Sequence, residues 1–136
     1  MNETMAREWL RKAWHDLSSA QILWDADHYT DVIGAQTQQA MEKALKAFYA
    51  WENRRIPKSH DLVQLHSGID RRLPLEEHQV DWLDMATGYY KTERYPVPTY
   101  GLPSREEVKE VLAFAHELLT MACRHLHIEK ESLEKE

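Results

Sequence analysis

The feature that most restricts the fold is a set of apolar stripes at helical spacing, and prolines separate the stripes that follow the second one. Apolar residues recur every three or four positions over roughly 4–27, 30–53 and 104–126, with shorter stretches that begin near Ser59 and near Leu75. No segment shows the sustained alternation of a half-buried strand. Each stripe can be buried only against another helix. The sequence therefore predicts an all-α fold, an antiparallel up-and-down helical bundle of four to five helices.

Local residue chemistry indicates where several of these helices begin and end. The sequence Ser104–Glu107 has the pattern of a capping box and follows a proline directly, so it predicts the start of the last helix. The hydroxyl of Ser59 is expected to cap the short third helix. A fourth helix is expected over about Leu75–Tyr90. The segment Thr92–Pro103 is rich in proline and is predicted to be a loop.

The second helix carries polar residues in an unusual arrangement. Glu42 and Lys46 are four residues apart, which predicts an ion pair on the outer face of the helix. Gln36, Gln38 and Gln39 cover more than one face near its start. Either they only solvate the helix, since Gln is a good helix former, or at least one of them lies against another helix or a partner.

Composition excludes several classes of protein. At 136 residues the chain is expected to form one domain, over 1–128, with a charged and solvated C-terminal tail at 129–136. The net charge of −6 argues against nonspecific nucleic-acid binding, and the single cysteine excludes an intrachain disulfide. There is neither a secretory signal pattern nor an apolar run long enough to span a membrane, so we expect a cytoplasmic protein with no membrane partner.

Histidine is abundant, yet its spacing does not predict a metal site. His125 and His127 are two residues apart, and His60 and His66 are six apart, so neither pair shares one face of a helix. Cys123 is expected to be a packed residue of the last helix, not a nucleophile. The sequence predicts no metal or other cofactor.

Two short segments carry the residues that could bind a ligand. In PKSHDL (57–62), Lys58 and His60 lie where a loop becomes a helix, and the free N–H groups of the helix start add to a potential anion site. The alternative is that the serine and aspartate only cap the first turn. In TERYP (92–96), Arg94 could hold a phosphate and Tyr95 could stack on a base. Equally, Arg94 could form an ion pair and Tyr95 could close the end of the bundle.

Taken in order, these segments resemble proteins of the HEPN family. The resemblance covers about Trp9–Leu126 and depends on Asp16 and Ala20 of the first helix, on QQAMEKALKAF, on HDL and on RYP. It implies a helical bundle that commonly forms a homodimer. It also implies a nucleotidyltransferase-domain partner, often within a toxin–antitoxin pair. On this basis Lys58, His60, Arg94 and Tyr95 are the expected nucleotide-binding residues.

Many HEPN proteins are metal-independent ribonucleases with an Arg-x(4–6)-His motif, in which Arg stabilises the developing phosphorane charge and His acts as acid or base. After Arg94 the next histidine is His116, too far away for this motif. Two other pairs match the spacing of the motif: Arg55 with His60, and Arg72/His78.

Three alternatives stay open from the sequence. The first is a nucleotide- or RNA-phosphate-binding protein that acts with a nucleotidyltransferase partner. The second is a dimeric metal-independent ribonuclease, with Arg55 and His60 as candidate catalytic residues. The third is a non-catalytic adaptor that docks its partner through the glutamine-rich helix. The sequence alone does not decide whether the chain is an enzyme.

Overall fold

In the part of the chain that the structure describes, the second helix lies at the centre and four other α-helices pack around it. The computed structural model describes residues 1–94 and 102–134, and the side chains of residues 1–90 and 102–134. Within these ranges there is no strand, and the predicted all-α antiparallel bundle is confirmed. The elements are α1 (Glu3–Asp25), α2 (Thr30–Trp51), α3 (Leu62–Ser67), α4 (Glu77–Arg94) and α5 (Arg105–His125), followed by a 3-10 helix at Lys130–Leu133. None of the described helices combines the length and the apolar character that a membrane crossing requires.

Helix α2 is buried on almost every side. It packs against α1, α3, α4 and α5. Fifteen of its 22 residues are buried, and they include polar and charged side chains. Its apolar faces carry several of the largest fully buried side chains, such as Ile33, Met41, Leu45 and Phe48. Because neighbours surround α2, a polar residue placed on it has to find its hydrogen-bond partners inside the protein.

Helices α1, α2 and α5 end in the same Schellman motif. The residue after each C-cap has a left-handed backbone, at Asp27, Asn53 and His127, with φ of 58°, 56° and 54°. At the end of α5, the N–H of Ile128 donates to the carbonyl of Cys123 at 2.9 Å, which satisfies a carbonyl that the helix leaves free. Glycine usually occupies this position because other residues are strained there.

The helix starts confirm one predicted cap and correct another. Ser104 caps α5, since its Oγ accepts from the N–H of Glu107 at 3.1 Å. The predicted cap of the third helix is wrong: the helix begins at Leu62, and Asp61 is its N-cap, while Ser59 lies two residues before that cap. Both residue types are good caps, so composition alone could not separate them.

Two segment boundaries also differ from expectation. Helix α4 runs to Arg94, so 92–94 belong to a helix, not to the predicted proline-rich loop. The C-terminal segment expected to be a solvated tail packs on the bundle over 130–133. Leu133 is buried, and the Nη1 of Arg7 donates to Ser132 Oγ at 2.6 Å.

The left-handed backbone of His127, just after the C-cap of α5, allows a test of this helix end. Replacing His127 by Gly should raise the free energy of unfolding by about 0.5–1 kcal/mol, because Gly removes the strain of a left-handed side-chain-bearing residue. Urea denaturation followed by circular dichroism measures the change. The matched control is His125→Gly, two residues earlier at the last helical position of α5. That variant should lose about 1 kcal/mol. Equal effects of the two substitutions would contradict a left-handed backbone at His127.

Candidate functional site

One polar row on the buried helix α2 forms the base of the site. Gln38, Glu42 and Lys46 follow one another at intervals of four residues and are only 0%, 4% and 7% exposed. The Lys46 ammonium donates to Glu42 Oε2 at 2.9 Å, and the Gln38 amide donates to Glu42 Oε1 at 3.2 Å. The predicted Glu42–Lys46 pair is therefore confirmed, but its predicted position on the outer face is wrong. Gln38 also packs inside the chain, which leaves it unavailable as part of a docking surface.

His60 completes this arrangement from the segment between α2 and α3. Its Nδ1 lies 2.8 Å from Glu42 Oε1, and its backbone carbonyl accepts from the Gln38 amide at 3.0 Å. Both ends of the residue are thus fixed to α2. We call Gln38, Glu42, Lys46 and His60 the Glu42 network.

Glu42 is held in its ionised form. Burial by itself would raise the pKa of this carboxyl group, but hydrogen bonds from Lys46, His60 and Gln38 together lower it below its ordinary value. An ionised carboxylate can only accept hydrogen bonds, so Nδ1 of His60 carries the proton that points to Glu42. In the neutral ring, Nε2 is then the free acceptor. The His60 side chain is 46% exposed, so it is open to solvent, unlike Glu42.

Tyr90 of α4 lies directly against His60. The two ring centroids are 4.3 Å apart, with an interplanar angle of 19°, which is a stacked arrangement. Arg94 is the last residue of α4, four positions after Tyr90. The side chain of Arg94 and the whole of Tyr95 lie outside the described residues.

The last turns of α4 are fixed to the rest of the bundle by Tyr89. The buried Tyr89 hydroxyl donates to Glu107 Oε2 of α5 at 2.5 Å. Burial, together with this carboxylate, raises the pKa of Tyr89 far above its ordinary value, so the phenol stays protonated. On the other side, a Cβ at position Gly34 would come within 2.9 Å of the Tyr89 ring. The absence of a side chain at Gly34 is what lets α4 approach α2 here.

The remaining candidates of the PKSHDL segment take different positions. Lys58 is exposed, and within the described part of the chain it forms no hydrogen bond or ion pair. Two N–H groups at the start of α3 already have a partner, because the Asp61 carboxylate accepts from Val63 and Gln64 at 3.0 and 3.2 Å. A negative charge already occupies that helix start. Any phosphate near His60 would have to be held by side chains.

The two Arg–His spacings do not become Arg–His pairs in the described residues. Arg55 is exposed and makes no hydrogen bond or ion pair with His60 there. Arg72 donates from Nε to Glu52 at 3.2 Å. His78 is exposed and lies 3.4 Å from Glu76. Within the described residues of one chain, neither spacing produces a hydrogen bond between Arg and His.

Comparisons with known proteins agree on one family. The HEPN domain model matches residues 6–126, nearly the whole chain. The chain belongs to the HEPN domain family. The crystal structure of TT1696 from Thermus thermophilus is similar, with a TM-score of 0.78 and 27% identity over 92% of this chain and 99% of that one. ST0689, described as an archaeal HEPN homologue, shares the fold, with a TM-score of 0.71 and 19% identity over 90% and 98% of the two chains. A comparison with curated proteins finds no match.

Within this HEPN domain, sequence reasoning missed two residues that contact His60. The sequence pattern predicts Glu42 only as half of a surface ion pair and Tyr90 only as the end of a helix. A signal for Glu42 exists in the sequence. Gln38, Glu42 and Lys46 form one polar stripe on a helix whose other faces are rich in alanine and large apolar residues. For Tyr90 the signal is its spacing of four residues from Arg94, which predicts one shared helix face only if the helix continues that far.

The Glu42 network yields a stability prediction with a defined pH dependence. Replacing Glu42 by Leu should lower the free energy of unfolding by about 3–5 kcal/mol, because the buried Lys46 ammonium then lacks its counter-charge. The double variant Glu42→Leu/Lys46→Met should recover most of that loss. Since the pKa of Glu42 is lowered in the folded state, its contribution is present above its ordinary value of 4.5 and is lost as the pH falls below it.

Urea denaturation at a series of pH values measures both effects. The double variant should lose less stability than the natural protein as the pH is lowered through that range. The matched control is the exposed pair Glu3–Arg7, which has the same spacing at 3.6 Å. Replacing Glu3 by Leu should change stability by less than about 1 kcal/mol. A Glu42→Leu effect as small as the Glu3 effect would show that the network contributes little.

Proposed function

We propose that this HEPN protein binds a nucleotide or an RNA phosphate at the surface formed by Lys58, His60 and Tyr90, and that it acts with a nucleotidyltransferase-domain partner in a toxin–antitoxin pair. The observation that carries the proposal is the placement of His60. Its ring is held by the buried carboxylate of Glu42 and stacks on Tyr90, while the unpaired Lys58 lies two residues away. A buried carboxylate that fixes an exposed imidazole is typical of a site that orients a histidine toward a ligand.

Each residue has a stated role in the proposed site. Lys58 supplies an unpaired positive charge for a phosphate. When the His60 ring is doubly protonated, Nε2 donates a hydrogen bond to the ligand, and when the ring is neutral, Nε2 can accept a proton there. The residue chemistry of TERYP (92–96) adds Arg94, which would hold a phosphate, and Tyr95, which would stack on a base. The position of Arg94, one helical turn after Tyr90, supports this assignment.

The partners in the proposal follow from the family. HEPN proteins commonly form homodimers, and many are encoded beside a minimal nucleotidyltransferase, so we include both interactions. The negative net charge of the chain favours a ligand recognised at one local basic site over general attraction of nucleic acid.

Calorimetric titration with ATP, AMP and a short RNA, each with and without magnesium, tests the binding site. Lys58→Gln and Arg94→Gln should each weaken binding about tenfold, the loss of one charge-assisted phosphate contact. The matched control is Lys109→Gln, an exposed lysine at the start of α5. Absence of binding to all three ligands, or equal losses for Lys58→Gln and Lys109→Gln, would refute the proposal.

One observation favours a second function, RNA cleavage. With Nδ1 of His60 committed to Glu42, Nε2 is positioned for general acid–base chemistry, and a second copy of the chain could bring an arginine to it. Purified protein should then cleave RNA in EDTA, and His60→Ala should lower the rate at least about a hundredfold. His15→Ala, which changes an exposed histidine of α1, should leave the rate unchanged. Intact RNA, or cleavage that survives His60→Ala, would exclude this function.

A further inference from the structure

A second group of basic residues lies away from the Glu42 network, at the junction of α2 and the turn that follows α3. It lines a cavity of about 300 Å³. Arg54, Arg71 and Arg72 contribute positive charge to this cavity, and Glu52 and Asp70 contribute negative charge. The cavity thus carries one net positive charge on a chain whose net charge is −6. We call it the Arg54 cavity.

Glu52 positions two of the three arginines. Its Oε1 accepts from Arg54 Nη1 at 3.1 Å, and its Oε2 accepts from Arg72 Nε at 3.2 Å. Partial burial would raise the pKa of Glu52, but the two guanidinium groups lower it below its ordinary value, so the carboxylate stays charged. One carboxylate therefore holds two guanidinium groups side by side.

Arg54 is further fixed by its surroundings. Its guanidinium carbon lies 4.5 Å from the centre of the Tyr49 ring, and its Nη1 also donates to the carbonyl of Gly68 at 2.7 Å. A Cβ at Gly68 would lie 2.1 Å from the Tyr49 hydroxyl, so only glycine lets the turn approach this ring. The Tyr49 hydroxyl donates to the Leu65 carbonyl at 2.7 Å. The arginine plane is thus oriented by stacking and hydrogen bonds before any ligand arrives.

Several donors of the Arg54 cavity have no partner among the described residues. Arg54 uses only Nη1 and Arg72 uses only Nε, so each guanidinium keeps N–H groups for a ligand. Arg71 is exposed and forms no hydrogen bond or ion pair in the described part of the chain. Guanidinium groups in this arrangement bind carboxylate and phosphate oxygens with paired hydrogen bonds.

We infer that the Arg54 cavity is a binding site for a single oxyanion group, a phosphate or a carboxylate, separate from the site at His60. Arg54 and Arg72 supply oriented donors. The single net positive charge of the cavity suits one anionic group better than a chain of phosphates.

Nuclear magnetic resonance of the full chain tests this inference directly. Inorganic phosphate and acetate are titrated in separate arms at constant ionic strength, and the ¹⁵N–¹H signals of the arginine Nε groups are followed. The Nε signals of Arg54 and Arg72 should shift with saturation. A tighter response to phosphate identifies a phosphoryl ligand, and a tighter response to acetate identifies a carboxylate ligand.

Variants separate this site from nonspecific ion effects. Arg71→Gln removes an exposed side chain without structural contacts and should raise the dissociation constant about tenfold. Arg124→Gln, at an exposed arginine of α5, should leave it unchanged. Absence of saturable shifts with both anions, or an unchanged dissociation constant in Arg71→Gln, would overturn the inference. The readout at the Arg54 and Arg72 signals is independent of nucleotide binding near His60.

Discussion

The buried carboxylate of Glu42 is the constraint on which the rest of the site depends. It lies on the one helix that four others surround, where an unpaired charge would cost several kcal/mol. Lys46 and Gln38 donate hydrogen bonds to this carboxylate from within α2, and His60 donates one from the segment between α2 and α3. Only the His60 contact links separate parts of the chain. The charge therefore does more than stabilise α2, since it determines where the segment that leads to α3 must run.

The position of α4 follows from the same contacts and from Tyr89. The His60 ring stacks on Tyr90, and the neighbouring Tyr89 is fixed between Gly34 and Glu107. Tyr90 thus faces the site at His60, whereas the adjacent Tyr89 faces the core. Because Tyr89 is buried and hydrogen-bonded to Glu107, it anchors this part of α4 beside His60. The geometry at His60 is therefore set by α2, α4 and α5 together.

The helices and the cap at Ser104 could be predicted because they depend on local periodicity and on residues close in sequence. The burial of Glu42 and its contact with His60 could not be predicted in this way. A Glu–Lys pair four residues apart is common on exposed helix faces, and its burial depends on which segments cover that face. The end of α4 could have been predicted more closely. Pro96 restricts mainly Tyr95, so the sequence allowed the helix to continue to Arg94.

Glu42 and Glu52 show how burial changes the consequence of one arrangement. Each carboxylate lies between positively charged or donating side chains, and in each case those partners lower its pKa. Around Glu42, the buried partners on α2 direct their polar groups inward, and only the His60 ring reaches solvent. Around Glu52, which is 27% exposed, the two guanidinium groups keep N–H groups that face no protein acceptor in the described chain. Buried Glu42 fixes the path of the backbone at His60, whereas partly exposed Glu52 holds two arginines that keep unpaired N–H groups within the described chain. The same charge pattern therefore organises an internal connection near the middle of α2 and an open basic cavity at its end.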